Sequence, residues 1–182
     1  MSKIINGIRV VTNVVRASYA HVATPQSING SDPKYSVSII IDKDDKETLD
    51  NINKAIDNAI EAGISKFGGK KPNKAALKLP LRDGDVERDD PAYENAFFIN
   101  CNNKTQPQVV DANRNPLAPE AIYSGCYVKV SIQFYAFNTN GNKGIAASLG
   151  NIQFIRDGES LGGGHITADD DFDDEEGESL LD

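Results

Sequence analysis

The sequence is poor in the residues that carry most metal and redox chemistry. It contains two cysteines, two histidines, one methionine and no tryptophan. Cys101 and Cys126 cannot build a disulfide framework and lack the close spacing of a thiol redox motif or a zinc site, so we predict two small buried side chains. His21 and His165 supply too little imidazole for a metal centre or a catalytic triad. We therefore expect no metal ion and no cofactor.

Long apolar runs are also missing. No segment approaches the roughly 20 apolar residues that a membrane helix requires. The N-terminal sequence MSKIINGIRVV lacks the basic, apolar and cleavage regions of an export signal, so we expect no membrane partner and a cytoplasmic location. The chain has 182 residues, of which 39% are hydrophobic and 25% are charged. These values are typical of one principal globular domain.

Basic residues are absent from the end of the chain. Residues 167–182 hold nine of the 27 acidic residues and no lysine or arginine, whereas the rest of the chain nearly balances its charges. An acidic segment of this kind cannot bury enough apolar surface to fold. We predict a folded domain over residues 1–157, a glycine-rich linker over 158–168 and a disordered acidic tail over 169–182.

Periodic patterns predict several strands and one helix. Residues typical of strands are concentrated in six segments, namely 8–22, 34–41, 96–102, 108–111, 127–137 and 145–156. Between residues 45 and 63 apolar side chains recur every three or four positions, which predicts an amphipathic helix that faces the core. Residues 67–90 lack periodicity and indicate a long ordered insertion or a flexible loop. Because strands and helices do not alternate, we predict a mainly β protein with α (α+β), built as an antiparallel sheet or small barrel.

The sequence offers no convincing catalytic constellation. Residues 63–71 superficially resemble a phosphate-binding loop, but the required Lys-Ser/Thr pair does not follow the second glycine. The acidic stretch 83–90 lacks the spacing of a calcium loop. A solvated acidic face explains this stretch more simply than the metal site of a nuclease. We therefore predict that the protein is not an enzyme.

The segment 127–137 separates two unlike faces. Alternate residues from Val128 to Ala136 are apolar and belong to a core. The opposite face carries Tyr127, Lys129, Ser131, Gln133, Tyr135 and Phe137. Aromatic rings interleaved with a cation favour a single-stranded nucleic-acid site, because bases stack on the rings and lysine contacts phosphate. The alternation is equally compatible with Tyr135 and Phe137 packing under a loop or against a second copy of the chain.

Further candidate residues lie outside this segment. The rings of Tyr19, Tyr35 and Phe67 extend the stacking platform, although each ring alone is typical of ordinary packing. A basic stretch between residues 66 and 82 supplies cations that neutralise phosphate, and its candidate contacts are Lys66, Lys70, Lys71 and Lys74. A lysine-rich surface loop is the simpler explanation of the charge alone.

The last part of the predicted domain carries a characteristic succession of residues. IYSGCYVKVSIQFYAF over residues 122–137 is followed by GNKGI over 141–145 and by LGNIQFIRDGESLGG over 149–163. This pattern resembles a family of bacteriophage single-stranded DNA-binding proteins that combine an OB-fold with an acidic C-terminal tail. The resemblance covers most of the chain. It implies a five-stranded antiparallel barrel that coats single strands, cooperatively or as a multimer, in phage DNA replication, recombination and repair.

The resemblance also implies partners. Single-stranded DNA is the expected ligand, a homo-oligomer is the implied assembly, and the host-cell cytoplasm is the expected location of a phage-encoded protein. The tail is expected to regulate DNA access and to recruit replication or recombination proteins through Asp169, Asp170, Asp171, Phe172, Asp173, Asp174, Glu175, Glu176, Leu180, Leu181 and Asp182. Some phage counterparts end in an aromatic residue, whereas this tail ends in Leu-Leu-Asp, and Phe172 is the candidate substitute. The alternative function is a protein-interaction module or DNA mimic that does not bind DNA.

Overall fold

The computed structural model describes residues 1–27 and 30–161. Within these residues it contains nine strands, two α-helices and four short 3-10 helices. The strands are β1 (Lys3–Ile5), β2 (Arg9–Val11), β3 (Val15–Gln26), β4 (Lys34–Asp42), β5 (Arg82–Asp83), β6 (Ala96–Asn103), β7 (Val109–Val110), β8 (Tyr127–Thr139) and β9 (Asn142–Arg156). The α-helices are α1 (Lys46–Ala62) and α2 (Gly84–Glu87), and the 3-10 helices span Ile64–Phe67, Lys74–Ala76, Pro91–Tyr93 and Pro119–Ala121.

Five of these strands close into a barrel. β3 pairs with β4, β4 with β6, β9 with β8 and β8 with β3, all antiparallel, whereas β6 and β9 run parallel. The parallel seam is narrow, because in the described chain it has one registered pair, Asn102 with Ser148. Asn103 Nδ2 supports the seam by donating to Ser148 Oγ at 3.2 Å and to Leu149 O at 3.0 Å. The predicted five-stranded barrel is confirmed, with one parallel pair in place of a fully antiparallel sheet.

β8 is long enough to pair with two neighbours along one edge. Its first residues pair with β3 through Tyr127 and Val128, and its middle pairs with β2 through residues 131–133. β1 completes a hairpin with β2, and β7 adds a parallel strand to β9. The segment 8–22, predicted as one strand or a bent pair, is thus two strands, β2 and β3.

Helix α1 packs its apolar face into the core. Asp45 caps the N-terminus by accepting a hydrogen bond from Thr48 N at 3.2 Å, and Gly63 N donates to Ala59 O at 2.9 Å near the C-terminus. The buried apolar side chains of the helix are Leu49, Ile52, Ala55, Ile56, Ala59 and Ile60. The prediction of an amphipathic, core-facing helix is confirmed. No helix in the described part of the chain has the length and apolar character needed to cross a membrane.

The insertion after α1 is ordered and borders a second, smaller core, since the guanidinium carbon of Arg88 lies 4.6 Å from the centroid of the Phe98 ring and 5.6 Å from that of the Tyr93 ring. The rings of Tyr93 and Phe98 pack edge to face with 5.2 Å between their centroids, next to Ile40 and Ala96. The Tyr93 hydroxyl donates to Ser18 Oγ at 2.9 Å. The insertion therefore covers part of the outer surface of β4 and β6, and the ordered alternative is the one that the structure confirms.

Both cysteines are buried, as predicted. Cys101 is 1% exposed and Cys126 is 0% exposed. Burial raises the pKa of the Cys101 thiol to about 12 and also raises the pKa of Cys126. These thiols are therefore packing groups of the core.

Residues 158–161, which follow the predicted end of the domain, also pack against the barrel. The Tyr123 hydroxyl donates to Asp157 Oδ1 at 2.7 Å, and Leu161 N donates to Ser124 O at 2.9 Å. Leu161 also packs against the second core. The predicted linker therefore begins with a fixed segment. Residues 162–182 lie outside the described residues, so the tail contacts predicted for residues 169–182 remain predictions.

Candidate nucleic-acid interface

Strand β8 presents the two faces that its sequence predicted. Its buried side chains are Val128, Val130, Ile132, Phe134 and Ala136. Its half-buried or exposed side chains are Tyr127, Lys129, Ser131, Gln133, Tyr135 and Phe137. Of the three aromatic rings on this outward face, Tyr135 is the most exposed, at 43%.

Tyr127 is covered by arginine side chains. The guanidinium carbon of Arg156 lies 4.2 Å from the ring centroid, and that of Arg16 lies 5.5 Å from it. Arg16 is fixed by hydrogen bonds from Nε to Gly125 O at 3.1 Å and from Nη2 to Glu159 O at 2.7 Å. Both guanidinium groups therefore lie over the Tyr127 ring. For this reason Tyr127 is not included among the residues proposed to stack on a base.

Lys129 lies in a groove between β8, β9 and the N-terminal hairpin. The groove has a volume of about 430 Å³. We name it the basic groove because its charged lining residues are all cations, Lys3, Arg9, Arg114 and Lys129. The predicted phosphate contact Lys129 thus has three cationic neighbours that were not predicted from the sequence.

Tyr135 and Phe137 lie near the turn that joins β8 to β9. Tyr135 is registered opposite Ala146, and Phe137 is registered opposite Gly144. Because these partners have little or no side chain, the neighbouring strand leaves the Tyr135 ring uncovered, while Phe137 is half-buried. An exposed ring on a regular strand meets the requirement for base stacking.

A row of polar side chains crosses the barrel beside Tyr135. Registered pairs join His21, Ser36, Asn102, Ser148, Gln133 and Arg9 across β3, β4, β6, β9, β8 and β2. All six side chains are half-buried or exposed, whereas neighbours in the chain such as Val37 and Cys101 are buried. We name this row the polar belt. Because adjacent strands lie about 4.8 Å apart, the belt follows a path of roughly 24 Å around the outside of the barrel.

Tyr19 stands at one end of the polar belt. It lies at a bulge between the registered residues Ser18 and His21, and it is 54% exposed. Its φ of 47° is in the left-handed region, which is unusual for an aromatic residue and marks backbone strain. Tyr19 beside His21 and Tyr135 beside Gln133 therefore flank the belt near its two ends.

Two other predicted rings do not belong to this surface. Tyr35 is registered opposite Asn103 and has the inward parity of Val37, so its half-buried ring lies off the belt. Phe67 is 6% exposed and packs in the main core, because the 3-10 helix Ile64–Phe67 turns its ring inward. The prediction that Phe67 stacks a base is therefore wrong.

Two lysines of the basic stretch lie against helix α1. Lys71 Nζ pairs with Glu61 Oε1 at 2.7 Å, and Lys74 Nζ pairs with Asp57 Oδ1 at 2.8 Å. The hydrogen bond to Glu61 raises the pKa of Lys71. Because the charges of both lysines are balanced on the helix, we leave them out of the candidate interface.

The other two lysines of this stretch are differently placed. Lys66 Nζ donates to Ala136 O at 3.2 Å, which puts the side chain near the end of β8. Lys70 is exposed and forms no ion pair with another described residue. These two cations therefore remain candidates for phosphate contact, and Lys66 lies beside the end of β8.

Acidic side chains of the stretch 83–90 form ion pairs and hydrogen bonds within the protein. Lys43 Nζ pairs with Asp85 Oδ2 at 2.7 Å and with Asp83 Oδ1 at 2.9 Å, and these hydrogen bonds raise the pKa of Lys43. The hydrogen bond from Lys43 likewise lowers the pKa of Asp85. Asp90 accepts a hydrogen bond from Ala92 N at 2.9 Å. In residues 1–27 and 30–161 no group of three or more His, Cys, Asp or Glu side chains could hold a metal ion.

Several residues of this surface were not predicted from the sequence. Arg16 lies between the buried residues Val15 and Ala17, and Arg9 precedes the buried Val10. This alternation of cation and apolar residue is a local signal that could have placed both arginines on an outward face. The uncharged members of the polar belt carry no such signal, because their alignment depends on the register of six strands.

Comparison with known proteins places this chain in a family. A family model described as the ssDNA-binding protein of Enterobacter phage Enc34 matches residues 8–181. The chain belongs to this family. The resemblance to phage single-stranded DNA-binding proteins is thereby confirmed.

One relative and two solved structures are similar to this chain. Putative protein p50 of Acyrthosiphon pisum secondary endosymbiont phage 1 is 32% identical over 176 residues, which cover 91% of this chain and 93% of that protein. The structure of the single-stranded DNA-binding protein from bacteriophage Enc34 in complex with ssDNA has a TM-score of 0.71 and 30% identity, covering 88% of this chain and 96% of that one. Gp2.5, a single-stranded DNA-binding protein encoded by bacteriophage T7, has a TM-score of 0.61 with 16% identity and covers 87% of this chain and 97% of its own. At that identity the likeness to gp2.5 shows the fold alone.

Proposed function

We propose that this Enc34-family protein binds single-stranded DNA without sequence preference along the polar belt. The observation that carries the proposal is the belt itself, in which polar side chains in register cross six strands with an exposed tyrosine near each end. Family membership supports the same ligand, because the Enc34 protein was solved in complex with ssDNA.

The belt offers the kinds of contact that a single strand uses. Tyr19 and Tyr135 stack bases, which requires no particular base. Amides such as Asn102 and Gln133 hydrogen-bond to base edges, sugars or phosphates. Arg9 balances phosphate charge at the far end. OB-folds bind oligonucleotides across their second and third barrel strands, and these correspond to β4 and β6, which the belt crosses.

Lysines beside the end of β8 extend this site. Lys66 and Lys70 contact phosphate near Phe137, where the insertion meets the barrel. Their contacts are electrostatic and therefore weaken as salt concentration rises.

The protein acts by binding and protects the strand without a catalytic step. It coats single strands exposed during phage DNA replication, recombination and repair in the cytoplasm of the host. Assembly of several copies along one strand supports this role, since cooperative binding is the norm for proteins that coat single strands.

The acidic tail regulates access to the belt and recruits replication or recombination proteins. Leu161, the last described residue, lines a cavity with Tyr19 and His21, so the described chain ends beside one end of the belt. A polyanion attached there competes with DNA phosphates for the same cations. Phe172 and Leu181 give partner proteins apolar contacts.

Fluorescence anisotropy tests the binding proposal with the full chain. The probes are a labelled oligothymidine of about 30 nucleotides, long enough for more than one OB-fold site, and a duplex of equal length. We expect preference for the single strand and an affinity that falls as salt rises. Equal affinity for both probes would contradict the proposal. No binding even at low salt would favour the protein-interaction or DNA-mimic function.

A further inference from the structure

The basic groove gathers cations from distant parts of the chain. Lys3 lies on β1, Arg9 on β2 and Lys129 on β8, while Arg114 lies in the loop between β7 and β8. The same groove is lined by three amide side chains, those of Gln108, Asn151 and Gln153. The fold therefore builds one electropositive surface from four separate segments.

The charges of this groove are not neutralised by the protein. None of its four cations forms an ion pair with a described residue, and no acidic side chain of the described chain lines it. Elsewhere lysines are neutralised, as Lys74 is by Asp57. Because unpaired like charges repel one another, the cluster favours an anionic ligand that lies between them.

Arg114 is held at the groove by a tight loop. Asp111 Oδ1 accepts hydrogen bonds from Asn115 N at 2.9 Å and Asn113 N at 2.8 Å, and these backbone donors lower the pKa of Asp111. Gln153 Nε2 donates to Asp111 O at 3.3 Å, which ties the loop to β9. The Asp111 carboxylate thus accepts hydrogen bonds from the loop backbone. These bonds order the segment from which Arg114 lines the groove.

The basic groove is continuous with the polar belt. Arg9 belongs to both, because it is registered opposite Gln133 in the belt and also lines the groove. Lys129 lies further along β8 on the same outward face as Gln133. A strand that crosses the barrel along the belt therefore reaches the groove directly at Arg9.

We infer that the basic groove binds the phosphate backbone of the same DNA strand after that strand leaves the polar belt. This inference rests on the proposed function. No aromatic side chain lines the groove among the described residues, so its contacts are to phosphate and independent of the base. The DNA-binding surface then has two parts that share Arg9, and a short strand that fills the belt does not extend to Lys129 and Arg114.

The test removes charge from the groove without touching the belt. The full chain and its Lys129→Gln/Arg114→Gln variant are titrated with oligothymidines of about 6 and about 30 nucleotides over a salt series. For the long oligomer we expect the slope of log affinity against log salt to become shallower by about 1.4, since each charge on a single strand contributes roughly 0.7. For the short oligomer we expect unchanged affinity.

Two further variants separate groove charge from net charge and from folding. Lys46→Gln/Lys54→Gln removes the same charge from the exposed side of α1 and is expected to keep the wild-type slope. Lys129→Arg/Arg114→Lys keeps the groove charge and is expected to bind as the wild type does.

The possible outcomes distinguish the inference from the proposed function. A wild-type slope in the Lys129→Gln/Arg114→Gln variant, or an equal change in the α1 variant, overturns the inference while binding to the belt stands. A loss in the charge-keeping variant as large as in the glutamine variant also overturns it, because packing rather than charge would be responsible. If the wild-type chain binds neither oligomer, the proposed function fails and the inference fails with it.

Discussion

The Tyr135 ring is open because of the residue that lies across from it. Ala146 cannot cover the ring, whereas Tyr127 on the same face is covered by Arg156 and Arg16. Alternation in the sequence placed both tyrosines correctly on the outward face of β8. It could not separate their roles, because the arginines come from β9 and β3 and meet Tyr127 only after the strands have paired.

Replacing Tyr135 with alanine tests whether the open ring contacts DNA. We expect the Tyr135→Ala variant to lose about 1–3 kcal/mol of binding free energy, the value of one base stack, as measured by anisotropy with oligothymidine. Tyr135→Phe keeps the ring and is expected to bind as the wild type does. Unchanged affinity in a folded Tyr135→Ala variant would remove this residue from the interface.

Cys101 provides a test of the core at the residue scale. Its thiol is 1% exposed and has a pKa of about 12, so neither access nor thiolate is available near neutral pH. We expect iodoacetamide to label Cys101 only after the protein unfolds, as followed by mass spectrometry with and without urea. Labelling of the native protein at the rate seen in urea would contradict the buried position.

At the scale of secondary-structure elements, a long element was easier to predict from the sequence than a short one. Helix α1 spans 17 residues and repeats its apolar pattern over several turns, so its position was predictable. The short strands β1 and β5 lie outside the predicted strand segments, because they exist through pairing with β2 and β6 and leave little periodicity in the sequence. Phe67 was misplaced for a similar reason, because the glycine- and lysine-rich sequence around it hides the short 3-10 helix that buries its ring.

The packing of α1 on β8 depends on Gly63. A Cβ atom at Gly63 would lie 2.2 Å from Ala136 Cβ and 3.1 Å from Ala59 O, so the end of the helix and the strand would have to move apart. We expect Gly63→Ala to lower the free energy of unfolding by about 1–3 kcal/mol, as overpacking does, measured by urea denaturation.

A double variant shows whether this contact is the cause. Ala136→Gly removes the opposing methyl group, so the Gly63→Ala/Ala136→Gly chain should lose less stability than the two single losses added together. Additive losses would mean that Gly63 acts through its own backbone rather than through the contact with β8.

At the scale of the whole molecule, the charge distribution could be predicted from the sequence, whereas the pairing registers of the strands could not. The uneven charge distribution was visible in the sequence because nine acidic residues are clustered within residues 167–182. The mainly β class was also predictable, since several strand segments lacked intervening helices. The polar belt was not, because His21, Ser36 and Asn102 come together through pairing registers that no local pattern specifies.

Removing the tail tests its competition with DNA. We expect deletion of residues 167–182 to tighten binding to oligothymidine, most strongly at low salt, where the charges are least screened. A matched chain in which the nine acidic residues of this segment become Asn or Gln should behave like the deletion in the same anisotropy assay. Weaker or equal binding by both chains would contradict competition by the tail.

The most direct test of the central claim is to map where a bound strand touches the protein. An oligothymidine carrying 5-iodouracil is bound to the full chain, cross-linked by light and located by mass spectrometry of the peptides. We predict cross-links at Tyr19 and Tyr135, which lie near the two ends of the polar belt. Cross-links confined to the exposed side of α1 or to residues 82–95 would contradict the proposal that single-stranded DNA follows the belt.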